Sequence, residues 1–146
     1  MTRSPSGRDP LTLGRSFLER LPHDADLAAW LSTFADDNGI LAGTVSVIGA
    51  VKNAVVAFYD QQEQTYGEID RDENLEILYC AGNVSIRDGK SFAHCHAMFS
   101  DKDGNTFGGH LVEGTKVFAA EANFQELLGA EYVRERDSVT GLPLWR

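Results

Sequence analysis

The segment 92–114, FAHCHAMFSDKDGNTFGGHLVEG, most constrains the fold, because it has the pattern of a β-hairpin. A turn-prone run, Asp-Lys-Asp-Gly-Asn, separates two extended stretches. If these stretches pair as antiparallel strands centred on Asp103, His96 lies directly opposite His110. Residues i and i+2 of a strand share a face, so His94 lies on the diagonal of the same face. The sequence therefore predicts three imidazoles on one face of a hairpin.

Three imidazoles on one face are a candidate metal site. Neutral imidazole is a good ligand for zinc and other first-row divalent metals. Three protein ligands with an open fourth position are typical of catalytic zinc, where bound water reaches a pKa of about 7. A histidine cluster buried at a subunit contact and satisfied by hydrogen bonds is the alternative interpretation. The spacing alone leaves both possibilities open.

Four residues near the histidines bear on this site. Gly108 and Gly109 predict a β-bulge, or a place where a ligand or a neighbouring subunit approaches the backbone closely. A bulge would move His110 to the other face of the hairpin. Glu113 and Glu121 are candidate general bases or partners of the metal ligands, because a carboxylate beside a metal-bound water can accept its proton.

Length and composition predict one globular domain. The 146 residues are 42% apolar and 24% charged, which is ordinary for a soluble protein. We assign residues 1–15 to a flexible N-terminal lead-in and residues 16–146 to the domain. No apolar run approaches the roughly 20 residues of a membrane helix, and no secretory signal is recognisable, so a cytoplasmic location without membrane contact is expected. Cys80 and Cys95 are then expected to be reduced thiols.

The charge balance argues against direct nucleic-acid binding. The formal net charge is −9 at pH 7, and no run of Lys or Arg suggests a basic patch. Sequence-independent DNA binding depends on Lys and Arg side chains that neutralise phosphates.

The remaining pattern predicts an α+β fold with a mostly antiparallel β-sheet and one main helix. The helix is predicted from Ala25 to Asn38, with Asp24 as N-cap and Gly39 as the stop. Short extended segments separated by turn-prone groups follow it. They are predicted at 41–51, 54–59, 65–69, 75–80, 84–87, 91–100, 106–112, 115–124 and 132–136, whereas 124–128 remains undecided between strand and helical turn.

These motifs together resemble the PPC domain, the plants and prokaryotes conserved domain. The resemblance rests on an H-x-H strand, a turn with Asp and Gly, the run G-G-H-L-x-x-G ending at Gly114, and a following strand that carries Glu121. Gly82 after an E-I-L strand, GTVSVIGAV at 43–51 and RERDSVTGLPLW at 134–145 also match. The resemblance covers roughly residues 21–146.

The resemblance implies a homotrimer and a metal site at His94, His96 and His110. In land plants the domain follows AT-hook segments, which enter the DNA minor groove, and it mediates self-association and contacts with other nuclear factors. This chain has no R-G-R-P core, and only the E-I-L end of the plant partner-binding segment G-R-F-E-I-L is present. Neither of those two contacts is therefore carried over to this chain.

The sequence thus predicts a stand-alone PPC-type domain without an AT-hook. Its expected function is that of an oligomeric binding protein of the kind found among transcription-associated proteins, with a three-histidine site for a divalent metal, zinc first. The alternative is a metal-dependent enzyme that hydrolyses a small molecule or carries out a related reaction, with a small-molecule ligand near the histidines and Glu121 or Glu113 as base.

Overall fold

An eight-stranded antiparallel sheet with one helix packed on it forms most of the molecule. The computed structural model describes residues 9–145. The elements are β1 Thr12–Arg20, α1 Leu27–Asp37, β2 Gly43–Val51, β3 Ala54–Asp60, β4 Thr65–Arg71, β5 Leu75–Arg87, β6 Lys90–Ser100, β7 Thr106–Leu111, β8 Val117–Leu128, β9 Arg134–Arg136 and β10 Pro143–Trp145. The sheet order is β1-β8-β2-β5-β6-β7-β3-β4, and β9 and β10 form a separate hairpin. The predicted α+β class is confirmed.

The core lies between α1 and one face of the sheet. Leu27, Leu31 and Ala35 recur at helical spacing and are fully buried against the sheet. The opposing sheet positions are alternate residues of the central strands, among them Phe99 and Phe124. Within residues 9–145, no helix is long and apolar enough to span a bilayer.

The helix begins two residues later than the sequence predicted. Its N-cap is Asp26, whose carboxylate accepts a hydrogen bond from the Ala29 amide. Asp24, the predicted cap, has a positive φ of 65° and instead forms an ion pair with Lys52. The predicted stop is correct, because Gly39 has a φ of +64° and donates its amide to the Asp36 carbonyl.

The N-terminal strand β1 was missed from the sequence. It pairs with β8, and the structure places 12–15 in this strand rather than in the lead-in assigned to 1–15. Residues 1–8 of that lead-in lie outside the described part of the chain. Arg15 anchors β1 through an ion pair with the buried Glu126. Hydrogen bonds that Arg15 donates to the Glu126 carboxylate lower the pKa of Glu126 to about 2. The undecided segment 124–128 belongs to β8.

One long strand, β5, replaces the two short segments that the sequence predicted on either side of Gly82. A Cβ atom at Gly82 would lie only 1.8 Å from the carbonyl oxygen of His94 on the adjacent β6. The glycine is therefore needed for a close approach between two paired strands, and it does not interrupt the strand.

We predict that Gly82→Ala lowers the free energy of unfolding by about 3 kcal/mol, because the added methyl group forces β5 away from β6. The matched control is Gly67→Ala on β4, where nothing lies within 4 Å of an added Cβ. Urea denaturation should leave the control within about 0.5 kcal/mol of the wild type. Equal stabilities of the two variants would contradict the steric argument.

Candidate metal centre

The three histidines meet on the face of the sheet that α1 does not cover. His96 of β6 lies directly opposite His110 of β7, as the hairpin pattern predicted. Ring centroids are 5.3 Å apart for His94 and His96, 5.0 Å for His94 and His110, and 5.6 Å for His96 and His110. The predicted register and the diagonal position of His94 are confirmed.

The predicted bulge at Gly108 and Gly109 is wrong. Both residues pair in regular register with β6, and for this reason His110 stays on the histidine face. A Cβ at Gly108 would lie 2.4 Å from the Ala97 carbonyl oxygen, and one at Gly109 would lie 2.8 Å from the Ala57 carbonyl oxygen. The two glycines therefore allow close approach of neighbouring strands of this chain. The approach of a ligand or a neighbouring subunit, which the sequence left open, stays a prediction.

The donor geometry suits a divalent metal. One nitrogen from each of the three imidazoles lies within 4.8 Å of the others. In a tetrahedral zinc site with bonds of about 2.1 Å, ligand nitrogens are about 3.4 Å apart. The imidazole nitrogens would have to move closer by up to about 1.4 Å to reach this spacing. His94 and His110 are partly buried, whereas His96 is exposed.

Electrostatics keep the buried histidines in the form that binds metals. Burial, and then the nearby charge of Arg134, lower the pKa of His94 to about 4. Burial and the neighbouring His96 also lower the pKa of His110. Both rings are therefore neutral at pH 7, and a neutral imidazole has the free lone pair that coordination requires.

Arg134, which the sequence analysis did not assign to the site, contacts it directly. Its Nη2 donates to Nδ1 of His94 at 3.3 Å and to Oδ1 of Asn83 at 2.9 Å. Arginine has no acceptor, so Nδ1 of His94 must be unprotonated in this contact. A metal bound to His94 would thus compete with the hydrogen bond from Arg134. No local pattern signals this role, because β9 is distant in sequence from β6.

The histidines open into a cavity of about 570 Å³. Besides the imidazoles, its lining includes Arg87, Arg134 and Tyr66. The β9–β10 hairpin closes one side, since Arg134 donates to Ser85 on β5 and the Tyr59 hydroxyl donates to the carbonyl of Thr140 at 2.6 Å. The cavity is therefore walled by the sheet, the β3–β4 hairpin and the C-terminal hairpin.

Neither candidate glutamate lines this cavity. Glu121 lies on β8 opposite Ile48, three strands from β6, which is about 14 Å at normal strand spacing. Glu113 follows β7 and lines a neighbouring cavity of about 420 Å³ that His110 also lines. Within residues 9–145, no Asp or Glu lines the histidine cavity.

The two cysteines are buried free thiols on the other side of the sheet. Cys95 alternates with His94 and His96 and faces the core, as the strand pattern predicted. The hydrogen bond that the Cys95 thiol donates to Cys80, together with burial, raises the pKa of Cys95. Cys95 is therefore a core thiol that takes no part in the histidine site.

Comparison with known proteins agrees with this fold. The family model described as the Plants and Prokaryotes Conserved (PCC) domain, also abbreviated PPC, matches residues 8–127. The chain belongs to this family. The resemblance that the sequence motifs suggested is thus confirmed.

Two solved PPC-fold proteins resemble the chain closely. A metal-containing protein from Archaeoglobus fulgidus is 41% identical, with a TM-score of 0.89 over 94% of this chain and 96% of that one. A plant- and prokaryote-conserved protein from Pyrococcus horikoshii is 34% identical, with a TM-score of 0.89 over 94% of each chain. A third solved structure, of a protein from Bacteroides thetaiotaomicron whose name proposes DNA binding, is 20% identical to this chain. The match covers 93% of this chain and 96% of that one with a TM-score of 0.83, and at this identity it shows a shared fold alone.

A curated relative is a much longer protein. The Bifunctional protein GlmU of Synechococcus sp. strain JA-3-3Ab is 33% identical over 136 residues, which cover 90% of this chain and 21% of that protein. The chain therefore spans about a fifth of the length of this relative.

We predict that the low pKa of His94 makes the metal-free protein sensitive to mild acid. A folded pKa of about 4 lies below the ordinary 6.5, so the unfolded chain binds the additional proton first as the pH falls. The contribution of His94 is complete above pH 6.5 and is lost as the pH falls towards 4. Between pH 6.5 and 5, the wild type should lose roughly 1 kcal/mol more stability than His94→Gln, measured by urea denaturation. This value is smaller than the full linkage contribution because solvent screens the partly exposed ring. Parallel losses in the two proteins would contradict this pKa.

Proposed function

We propose that this chain is an oligomeric binding module of the PPC family that holds a divalent metal at His94, His96 and His110. Zinc is the first candidate for this metal. The observation that carries the proposal is the convergence of three imidazole nitrogens within 4.8 Å on one sheet face, beside a cavity. A 41% identical protein of the same fold is described as metal-containing, which supports the same role here.

The donor set is compatible with such a metal, because three imidazole nitrogens converge. The alternative is a histidine cluster that is buried at a subunit contact and satisfied there by hydrogen bonds. Within residues 9–145, Nδ1 of His94 accepts a hydrogen bond from Arg134, whereas no hydrogen bond joins the rings of His96 and His110 to other groups. When bound, the metal would supply a Lewis-acidic centre, and the chain's own residues would hold it, keep the ligands neutral and limit access from solvent.

We predict about one zinc per chain in the reconstituted protein, measured by elemental analysis after removal of excess metal. His96→Ala should lower the affinity by about 100-fold or more, because it removes a direct ligand and outer-shell changes alone cost 10- to 100-fold. The control is His23→Ala, since His23 lies outside the cluster and contacts Phe118. Full metal content in His96→Ala would overturn the metal assignment.

The assembly part of the proposal is supported by the uncovered sheet face. Ile48, Tyr79 and Met98 lie on the same face as His96 and are 56%, 57% and 45% exposed. Leu18 of β1 extends this apolar surface and is 85% exposed. Large exposed apolar residues on a sheet face that no layer covers are typical of a protein–protein interface. We propose that further copies of this chain cover it, in the trimer that the family resemblance implies.

We predict that Tyr79→Glu converts the trimer to smaller species, because it places a charge in the apolar surface. Native mass spectrometry or light scattering measures the change. The control is Val139→Glu, at an 80% exposed position in the β9–β10 loop, which should leave the trimer intact. A monomeric wild type, or a Tyr79→Glu protein that remains trimeric, would contradict this interface.

Direct DNA binding is not part of the proposed function. The net charge of −9 and the missing AT-hook core oppose phosphate contact. We propose instead that the domain acts in the cytoplasm through self-association and through the ligand that its site binds. The segment that matches this chain makes up about a fifth of a longer relative, which agrees with the role of a module.

A metal-dependent hydrolase is the second candidate, and the cavity beside the exposed His96 favours it. An open metal position that faces a cavity of this size can admit a small substrate. Glu113 is then the nearer of the two proposed bases, since its cavity shares His110 with the site. Turnover of a small ester by the zinc-loaded protein, abolished in His96→Ala, would favour this alternative over a binding role.

A further inference from the structure

The cavity beside the histidines is electropositive, although the chain is acidic. Two arginines line it, and within residues 9–145 no Asp or Glu does. The whole chain carries a net charge of −9, so this concentration of positive charge is not a property of the general surface. A divalent metal at the histidines would add two further positive charges. The positive charge of the site therefore favours an anionic ligand.

Arg134 supplies a buried positive charge that the described residues do not neutralise. Its Nε donates to Ser85 Oγ at 2.7 Å, and its Nη1 donates to the Pro143 carbonyl at 3.0 Å. These partners, like Asn83 and His94, are uncharged, and no ion pair of Arg134 occurs within residues 9–145. Its hydrogen bonds fix its position, while its charge remains available to a ligand in the cavity.

Arg87 presents free donors to the same cavity. Its guanidinium carbon lies 3.6 Å from the ring centroid of Phe92, so the group is held against the aromatic ring. The nearest carboxylate is that of Asp88, at 4.0 Å and 95% exposed, which is a weak contact. In the described part of the chain, the guanidinium of Arg87 makes no hydrogen bond. A guanidinium whose donors make no hydrogen bond within the protein can bind an oxyanion with two parallel hydrogen bonds.

We propose that the cavity binds a small organic anion whose carboxylate or phosphate head group pairs with Arg87 beside the three histidines. The head group would pair with the guanidinium of Arg87, and the organic body would pack against Phe58, Tyr66 and Leu144, which line the rest of the cavity. A volume of about 570 Å³ is in the range of small-molecule sites. This inference rests on the proposed metal-binding function for its second attachment point only, because the pairing with Arg87 needs no metal.

The test is isothermal titration of zinc-loaded and EDTA-treated protein with benzoate, phenyl phosphate and inorganic phosphate, in a low-chloride buffer. We expect benzoate or phenyl phosphate to bind the zinc-loaded wild type, and Arg87→Gln to weaken that binding by about 10- to 100-fold. Arg87→Lys should restore part of the affinity, because it keeps the charge but not the planar fork. The matched control is Arg71→Gln, since Arg71 stacks on Phe107 outside this cavity and should leave binding unchanged.

The outcomes separate this inference from the metal assignment. Anion binding that depends on Arg87 in a protein that takes up no zinc would support the inference and overturn the metal site. Two results would overturn the inference while the protein takes up zinc. One is equal anion binding by the wild type and Arg87→Gln, and the other is no anion binding by the wild type. If Arg87→Gln does not fold, NMR of the wild type decides, because bound benzoate must shift the Arg87 Nε–H resonance. Preference for phenyl phosphate over benzoate assigns the head group.

Discussion

Antiparallel pairing of β5, β6 and β7, which is regular between β5 and β6 from Tyr79 to Arg87 and along β7, is the constraint on which the candidate site depends. Residues directly opposite each other in neighbouring strands share a face, so Ala81, His96 and His110 form one row across the sheet. A slip of one residue in either pairing would send an imidazole to the core side. Gly82 and Gly108 keep the register regular by letting the strand backbones approach more closely than any side chain would allow.

A second constraint is the burial of Arg134 above this sheet face. Burying a cation is costly unless its donors are satisfied, and Ser85, Asn83 and the Pro143 carbonyl satisfy them. The same contacts fasten the β9–β10 hairpin over the histidines and create the cavity. The charge of Arg134 also lowers the pKa of His94, so one residue shapes both the walls and the protonation state of the site.

The two faces of the sheet have different physical roles. The face towards α1 is a packed apolar core that includes Phe99, Phe124 and the thiol of Cys95. The other face combines exposed apolar residues with the histidines and the cavity. Because His96 and Met98 are neighbours on that face, an interface with another copy and the metal site would lie side by side. The fold itself is shared with two solved proteins that are 41% and 34% identical to this chain.

Much of this protein could be predicted from local sequence patterns. Alternation along β6 and the short turn after it determined that His94 and His96 share a face with His110 and that Cys95 does not, because side-chain direction and hairpin register are local properties. Gly108 and Gly109 misled the prediction, because they suggested a bulge. Both instead allow a close approach of a neighbouring strand that the local sequence does not reveal.

Only the tertiary structure decided what surrounds the histidines. Strand β1 was missed because its pairing partner, β8, is about a hundred residues away, as the contact between Arg15 and Glu126 across 111 positions illustrates. Glu121 was expected near the site but lies three strands away, because sheet order follows from the whole topology. Arg134 lies beside His94 across 40 positions of sequence, since that contact exists only once the C-terminal hairpin folds back over the sheet.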